Sequence, residues 1–202
     1  MRRIAALIFP GFELLDVFGP LEMFGLLEAQ FTIDLVAEAP GPVPSSMRIS
    51  ACASKSLDQC TDYDILLVPG GDGVRNEVGN APLLNWIART SRNAELTLSV
   101  CTGSALLARA GVLDGCRATT NKAAFGWVAA QGPQVDWVRE ARWVEDGTFI
   151  TSSGVSAGMD MALAAIARMH GIALAQQAAE ICEYNWQTES TKDPFARIHG
   201  LA

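Results

Sequence analysis

The sequence has little of what a metal site, a disulfide framework or a nucleic-acid surface needs. It contains two histidines and five cysteines among 202 residues. No two cysteines stand in a CxxC spacing, so the usual zinc and redox motifs are missing, and we expect no metal or organic cofactor. The 15 Lys and Arg residues are outnumbered by 22 Asp and Glu, which gives a net charge of −7. This balance argues against nucleic acid or an anionic membrane as a partner.

Long apolar runs are missing too. The first apolar stretch, Ile4 to Phe9, ends at Pro10 and Gly11 and is followed by acidic residues, so it is too short for a secretion signal. No stretch reaches the roughly 18 apolar residues of a membrane helix. Because 50% of the residues are hydrophobic, the chain can still bury one core. We therefore expect a single soluble, cytoplasmic domain over residues 1–202.

Most of the cysteines have the character of small apolar side chains. Their number is odd and no secretion signal precedes them, which argues against structural disulfides. Free cysteines commonly pack as small hydrophobes. We expect this of the four that lie away from any strand-to-helix junction: Cys52, Cys60, Cys116 and Cys182.

Strand patterns alternate with helix patterns along the chain, which is typical of a parallel sheet covered by helices on both faces. Strands are predicted over residues 3–9, 31–37, 63–69 and 95–100, and a strand or hairpin arm over 48–54. Residues 141–144 and 148–152 flank the turn signal Glu145-Asp146-Gly147 and predict a late hairpin. Helices are predicted over 80–92, 102–110, 122–131, 156–170 and 172–186, with an irregular tail from 188 to 202.

A few residues set the predicted ends of these helices. Pro20 places the start of the first helix near Gly19, because proline favours the first turn, and leaves residues 12–18 as a loop or a short turn. Asn80 is a candidate cap for the helix that follows it. Gly111 is placed to end the helix that starts after Cys101.

Cys101 is the most informative residue, because it stands where an apolar strand runs directly into an apolar helix. In open α/β sheets the site lies beyond the carboxyl ends of the strands, and a residue on such a turn presents its side chain to the crevice. The N-terminus of the following helix predicts a lowered thiol pKa. The N–H of Thr102 or Gly103 is a candidate donor to a developing anion. We therefore interpret Cys101 as a nucleophile.

The cysteine turn resembles that of the ThiJ/PfpI superfamily, which is class I glutamine amidotransferase-like. The resemblance implies a flavodoxin-like α/β sandwich with a mostly parallel sheet, helices on both faces, a nucleophile elbow and a homodimer. It spans residues 4 to about 170. The segments that carry it are SVCTGS at 99–104, FPGFELLDVFGP at 9–20, VPGGDG at 68–73, AGVLDG at 110–115, RATT at 117–120 and SGVSAGMD at 153–160.

The branch within the superfamily is indicated by two positions. Thr102 stands where protease and deglycase members often carry His, and an Asp in the first loop is similar to the isonitrile hydratase branch. Many relatives have His where this chain has Asn121, so a Cys-His-Asp triad on that position is not available. His170 and His199 are interpreted as structural or surface residues. Similar regulators carry an additional helix-turn-helix module, which we expect to be absent here.

The resemblance and the sheet edge together suggest roles for the neighbours of Cys101. Asp16 is the candidate general acid and base, and a carboxyl group buried beside a thiolate should have a raised pKa. Glu13 and Glu22 are ranked below it. Gly70 and Gly71 are candidate oxyanion donors or simply a tight turn, while Thr102 either orients substrate or caps its helix. Ser153 and Gly154 are candidates for lining the same pocket.

The resemblance to this branch implies a cofactor-independent lyase that acts on a small molecule, hydrating an isonitrile to an N-substituted formamide. Two alternatives stay open. One is another cysteine-dependent hydrolase or glyoxalase-type activity on an acyl or aldehyde compound. The other is a non-enzymatic, redox-sensing or chaperone-like homologue that uses oxidation of Cys101.

Overall fold

Strands and helices alternate along the chain as predicted. The fold is that of a computed structural model, which describes residues 1–59 and 62–202. The strands are β1 Arg2–Leu7, β2 Phe31–Ala37, β3 Gly41–Pro44, β4 Ser50–Ala53, β5 Lys55–Ser56, β6 Ile65–Val68, β7 Leu96–Ser99, β8 Arg117–Ala118, β9 Asp136–Trp137, β10 Trp143–Asp146 and β11 Phe149–Ser152. The helices are α1 Leu14–Gly25, α2 Val74–Glu77, α3 Ala81–Asn93, α4 Gly103–Arg109, α5 Phe125–Ala129, α6 Ala157–His170, α7 Ile172–Ile181 and α8 Pro194–Ile198.

A seven-stranded sheet forms the centre of the described part of the chain, in the order β10-β11-β7-β6-β1-β2-β5. Only β10 and β11, the predicted late hairpin, are antiparallel neighbours in it. In the register of β6 and β7, Val68 lies opposite Ser99. The loops that follow these strands, beginning at Pro69 and Val100, therefore leave the sheet side by side. The predicted flavodoxin-like α/β fold is confirmed.

The core lies on both faces of the sheet. Strand β6 and the part of β1 from Ile4 to Leu7 are apolar without alternation and completely buried, as expected for strands covered on both sides. The helices that cover them fall into two groups that pack within themselves. One group is α1, α6 and α7, and the other is α2, α3, α4 and α5.

The first helix begins at Leu14, so the prediction of a loop up to residue 18 was wrong. Pro20 lies inside α1, where it cannot donate a backbone hydrogen bond. It is buried, and the helix packs closely on α6: a Cβ on Gly19 would lie 2.9 Å from Met159 Cγ. Tertiary packing therefore outweighs the local preference of proline. As a consequence, Asp16 lies in the first turn of a helix rather than in a loop.

Other predicted ends are close to the observed ones. Asn80 caps α3, since its side chain accepts a hydrogen bond from the N–H of Leu83 at 3.3 Å. Gly111 follows α4 with a φ of 73° and Gly171 separates α6 from α7 with a φ of 94°. These are left-handed conformations that favour glycine. The hairpin arm predicted at 48–54 is realised as β4, which pairs with β3.

The C-terminal segment is more ordered than the predicted irregular tail. It contains α8, whose first turn is capped by Asp193, because the Asp193 carboxylate accepts a hydrogen bond from the N–H of Phe195 at 3.0 Å. The N–H of Asp193 in turn donates to the carbonyl of Glu140 at 2.7 Å. The tail is therefore bonded to the segment that leads into the late hairpin.

A buried ion pair connects the hairpin, α6 and the tail. Arg142 Nε lies 2.6 Å from Asp160 Oδ2, and both side chains are buried. Asp160 Oδ1 accepts hydrogen bonds from Tyr184 Oη at 3.0 Å and from the N–H of Gln187 at 2.9 Å. Burial raises the pKa of Tyr184 to about 12. These bonds draw residues 184–187 toward Asp160, which explains why α7 ends at Ile181 instead of continuing to residue 186.

The cysteines outside the turn differ in exposure. Cys116 and Cys182 are half-buried, and Cys182 Sγ lies 3.8 Å from Met23 Sδ. Cys52 is exposed, so its interpretation as a packed small side chain was wrong. It lies on β4 of a two-stranded hairpin, where alternate side chains face solvent. Cys60 lies outside the described residues.

Within the described residues, no helix combines the length and the apolar character that crossing a bilayer requires.

Candidate functional site

Cys101 occupies a strained turn between β7 and α4. Its φ is 58°, a left-handed value that non-glycine residues rarely adopt. The surrounding backbone holds this conformation. The N–H of Cys101 donates to the carbonyl of Ser153 at 3.1 Å. The carbonyl of Cys101 accepts from Thr120 Oγ1 at 2.9 Å and from Ser104 Oγ at 3.3 Å. The predicted sharp turn is therefore present, and its strain is fixed by three hydrogen bonds.

A cavity of about 220 Å³, here the Cys101 cavity, opens at this turn. Cys101 has 7% of its surface exposed, and it lies at the carboxyl ends of the parallel strands, where the site was predicted. The cavity is mixed in character, with two acids, one arginine and one tryptophan on its walls. The other residues that line it are Glu13, Gly71, Asp72, Arg75, Thr102, Asn121, Ala124, Trp127 and Val155.

The structure places Asp16 directly against Cys101. The Asp16 side chain has no exposed surface, and the neighbouring Cys101 thiol favours its ionised form. Oδ2 accepts a hydrogen bond from the N–H of Gly70 at 2.9 Å. Oδ1 makes no hydrogen bond to any of the described residues. A buried carboxyl group beside the sulfur, with only one oxygen hydrogen-bonded, is well placed to exchange a proton with it.

Burial raises the pKa of Asp16 to about 7, against the lowering effect of the Gly70 N–H. The direction is the one predicted from the sequence. The charge of Glu13, which lines the same cavity, adds to the rise. Glu22 is exposed on the other side of α1, where its charge acts on Cys182. Of the three acids considered, Asp16 is therefore the one in contact with the sulfur.

The pKa of the Cys101 thiol changes in the opposite direction to the prediction. Burial, together with the charge of Asp16, raises it to about 12. The hydrogen-bond donors at the turn lower it, but by less than burial raises it. The start of α4 contributes to this lowering only through the N–H of Thr102. The resting sulfur is thus a thiol beside a carboxyl group of nearly neutral pKa.

Three donors reach the Cys101 sulfur. They are the N–H groups of Thr102 and Val155 and the side-chain amide of Asn121. Thr102 was predicted as a donor, whereas Val155 and Asn121 were not. Val155 has a φ of 45°, which is unusual for a β-branched residue. The motif at 153–160 marked this segment, but a backbone N–H leaves no signal in the identity of its residue.

Gly70 and Gly71 do not offer the anion hole that the sequence suggested. The N–H of Gly70 is taken up by Asp16 Oδ2, and the N–H of Gly71 donates to Thr102 Oγ1 at 3.1 Å. A side chain on Gly71 would collide with the backbone of Gly11 in the first loop. The two glycines therefore allow the loops to pack closely, and Gly70 holds the Asp16 carboxyl in place.

Gly103 differs from its predicted role, and of the two roles considered for the Thr102 side chain the helix cap is not observed. Thr102 makes no capping hydrogen bond through its side chain, and its Oγ1 accepts from the N–H of Gly71. Gly103 donates its N–H to the carbonyl of Val100 at 2.9 Å, so it is not available to an anion. A Cβ on Gly103 would overlap with the carbonyl oxygen of Val68. Gly103 is thus required for close packing of α4 on β6.

A second cavity of about 200 Å³ adjoins the first and shares Asn121 and Val155 with it. Ser153 and Gly154 line this second cavity, not the Cys101 cavity. His199 lies on its exposed rim, and His170 is 3.1 Å from Arg2 at the far end of α6. In the described part of the chain, neither His lines the Cys101 cavity, and no three His, Cys, Asp or Glu side chains are grouped as metal ligands.

Known proteins resemble this chain over most of its length. Isonitrile hydratase from Pseudomonas putida is 33% identical over 184 residues, which are 90% of this chain and 78% of that protein. The HTH-type transcriptional regulator CdhR from Pseudomonas aeruginosa is 32% identical over 179 residues, and the chain spans about half (52%) of that regulator. The crystal structure of a ThiJ/PfpI family protein from Pseudomonas syringae matches with a TM-score of 0.85 and 33% identity, over 91% of this chain and 75% of that one.

The same relationship appears at the level of the family. The family described as DJ-1/PfpI matches residues 2–168, which include the whole sheet and the Cys101 turn. The chain therefore belongs to the DJ-1/PfpI family.

Proposed function

We propose that this protein is a cysteine-dependent hydratase that converts an isonitrile and water into an N-substituted formamide. The observation that carries the proposal is the buried contact between the Cys101 thiol and the Asp16 carboxyl at the floor of an accessible cavity. The reaction needs a nucleophile and a proton carrier at the same carbon. It requires no metal and no imidazole.

In the first half-reaction Asp16 moves one proton. With a pKa of about 7 for Asp16 and about 12 for Cys101, the proton rests on sulfur near neutral pH and Asp16 is the base. Asp16 takes the thiol proton as the sulfur attacks the terminal carbon of the isonitrile. That carbon then holds an electron pair, and Asp16 returns the same proton to it. The product of this half is a thioimidate bonded to Cys101, and Asp16 is again a carboxylate.

In the second half-reaction water replaces the sulfur. Asp16 removes a proton from a water molecule as the water oxygen adds to the thioimidate carbon, and Asp16 passes this proton to the nitrogen. The carbon–sulfur bond then breaks, the oxygen gives up its proton as it becomes a carbonyl, and Cys101 is regenerated as a thiol. One isonitrile and one water are consumed and one N-substituted formamide is released.

The sequence relationship supports this substrate class. The relative from Pseudomonas putida, which is 33% identical over 90% of this chain, is an isonitrile hydratase. The regulators among the relatives leave the activity to be tested directly.

The test uses purified protein, a small alkyl isonitrile and detection of the formamide by its amide absorbance. We expect turnover by the wild-type protein and none by Cys101→Ala or Asp16→Asn. The matched control is Glu22→Gln, which changes an exposed acid of the same helix and should retain full activity. Absence of turnover by the wild type, or equal turnover by Cys101→Ala, refutes the proposal.

Methylglyoxal and amide substrates in the same assay separate the hydratase from a glyoxalase-type or hydrolase activity. The redox-sensing alternative is less consistent with the site. Thiolate is the form that peroxide oxidises, and burial raises the pKa of Cys101 to about 12. Formation of Cys101 sulfinic acid at low peroxide, together with empty substrate screens, would favour the sensor. The homodimer and the cytoplasmic location stay predictions from the sequence.

A further inference from the structure

We propose that the side-chain amide of Asn121 is a catalytic hydrogen-bond donor that stabilises negative charge on the Cys101 sulfur. The charge appears twice in the proposed reaction, when the thiol loses its proton and when the carbon–sulfur bond breaks. The inference about catalysis therefore rests on the proposed function. The inference about the sulfur itself does not, since it concerns only the two side chains.

The orientation of the amide is fixed by its other end. Asn121 Oδ1 accepts a hydrogen bond from the N–H of Ala124 at 3.0 Å. Oxygen is thereby engaged within the protein, and the NH₂ group is the end left to face the cavity. Nδ2 lies against Gly154, where a Cβ would overlap with it, and the amide lines the same cavity as the Cys101 sulfur, whose pKa it lowers. An acceptor at this place would repel a thiolate, so the direction of the amide matters.

The segment that carries Asn121 is anchored on both sides. Thr120 Oγ1 donates to the carbonyl of Cys101 at 2.9 Å, which binds the segment directly to the nucleophile turn. Lys122 is buried, and its Nζ donates to Thr119 Oγ1 at 2.8 Å and to the carbonyl of Ala141 at 2.6 Å. Because these bonds exist before substrate arrives, the amide needs no reorganisation when the charge develops.

The need for such a donor follows from the charges around the sulfur. Burial disfavours the thiolate, and the adjacent Asp16 disfavours it further whenever Asp16 is ionised. The other charged groups on the cavity wall are Glu13, Asp72 and Arg75. Asn121 stays neutral at every pH, so it stabilises the sulfur without adding a second titrating group beside Asp16.

The first experiment measures the rate of Cys101 alkylation by iodoacetamide against pH, which reports formation of the thiolate without any isonitrile. We expect Asn121→Ala to raise the apparent pKa of the thiol and to slow alkylation near pH 8 by about ten-fold, as the loss of a hydrogen bond to a charged group predicts. Asn121→His restores an N–H donor and should recover part of the rate. An alkylation profile of Asn121→Ala identical to that of the wild type overturns the proposal.

The second experiment measures isonitrile turnover by the same proteins. We expect kcat to fall by about ten- to a hundred-fold in Asn121→Ala while KM changes little, because the donor acts on charge that develops during the reaction. Gly154→Ala should reproduce the loss with Asn121 intact, since the added methyl displaces Nδ2. Unchanged kcat in both variants overturns the catalytic role.

The two experiments separate two failures. If the wild type shows no isonitrile turnover but Asn121→Ala still slows alkylation, the proposed substrate is wrong and the role of Asn121 at the sulfur stands. Urea unfolding of each variant, compared with Gly126→Ala on the exposed side of α5, shows whether a loss of rate accompanies a loss of fold. If Asn121→Ala is unstable, Gly154→Ala carries the same test.

Discussion

Replacement of Asp16 by Asn should stabilise the folded protein, and increasingly so as the pH rises. The two side chains have nearly the same shape, and an amide oxygen can still accept the hydrogen bond from Gly70. What the substitution removes is the ionisable group. Burial raises the pKa of Asp16 from 3.8 to about 7, so the folded state favours the protonated acid. The protonated Asp16 stabilises the folded protein in full at pH values below the pKa of Asp16 in the unfolded chain. This stabilisation is lost as the pH rises through the pKa of Asp16 in the folded protein.

The size of the effect follows from the pKa difference. Each pKa unit corresponds to about 1.4 kcal/mol, so ionising Asp16 in the folded protein costs about 4 kcal/mol in full. Near pH 5 about 2 kcal/mol of this is already lost, and near pH 8 nearly all of it. Between these two pH values the free energy of unfolding of the wild type should therefore fall by about 2–3 kcal/mol, whereas that of the Asp16→Asn protein should not show this fall.

Urea unfolding of both proteins near pH 5 and near pH 8 measures the difference. With a urea dependence of about 2 kcal/mol/M, the gap between their midpoints should widen by about 1 M from the lower to the higher pH. Glu22→Gln is the control, because that acid is exposed on the same helix and should produce no such widening. A gap of equal size at both pH values, or a wild type that is the more stable protein near pH 8, refutes the buried-acid interpretation.

Three further predictions concern catalysis and packing. The kcat/KM of isonitrile turnover should rise as the pH increases through about 7, because Asp16 must be a carboxylate to take the thiol proton, and a pH-independent profile contradicts this role. Gly103→Ala should destabilise the protein by about 1–3 kcal/mol in urea unfolding, because the added methyl overlaps with backbone carbonyls of the neighbouring strand. Gly126→Ala, where the added methyl meets open space, should leave the stability unchanged or raise it by up to about 1 kcal/mol. Asp160→Asn should lower the free energy of unfolding by about 3–5 kcal/mol in the same measurement, because the buried Arg142 loses its charged partner. Tyr184→Phe removes only a hydrogen bond and should lower it by about 1 kcal/mol. Equal losses in the two variants would contradict the ion pair.

The order of strands and helices was largely readable from the sequence, because apolar runs and turn residues act locally. Phe31–Ala37 was predicted with its observed bounds, and the hairpin around Gly147 was marked by its turn. Pro20 misled the prediction because its cost within α1 is offset by contacts with a helix more than a hundred residues later. A short stretch of sequence around Pro20 gives no information about such distant contacts.

Cys101 and Asp16 were predictable from the sequence, whereas the electrostatics of the site and several of its other members were not. The junction between strand and helix pointed to Cys101, and the resemblance pointed to Asp16. The sign of the thiol pKa was wrong because the effect of a helix end is local, whereas burial depends on every element packed around the sulfur. The donors were also misassigned: the N–H groups of Gly70 and Gly71 are taken up by Asp16 and Thr102, while that of Val155 arrives from a distant loop.

The bonds to Asp160 have a consequence for how the chain is made. This carboxylate lies in α6, its cationic partner Arg142 precedes it, and its remaining donors, Tyr184 and Gln187, follow it. A nascent chain that ends at the close of α6 therefore holds a buried charge with two of its three partners untranslated. We expect the last third of the protein to dock in one step after Gln187 has left the ribosome, and not helix by helix during synthesis.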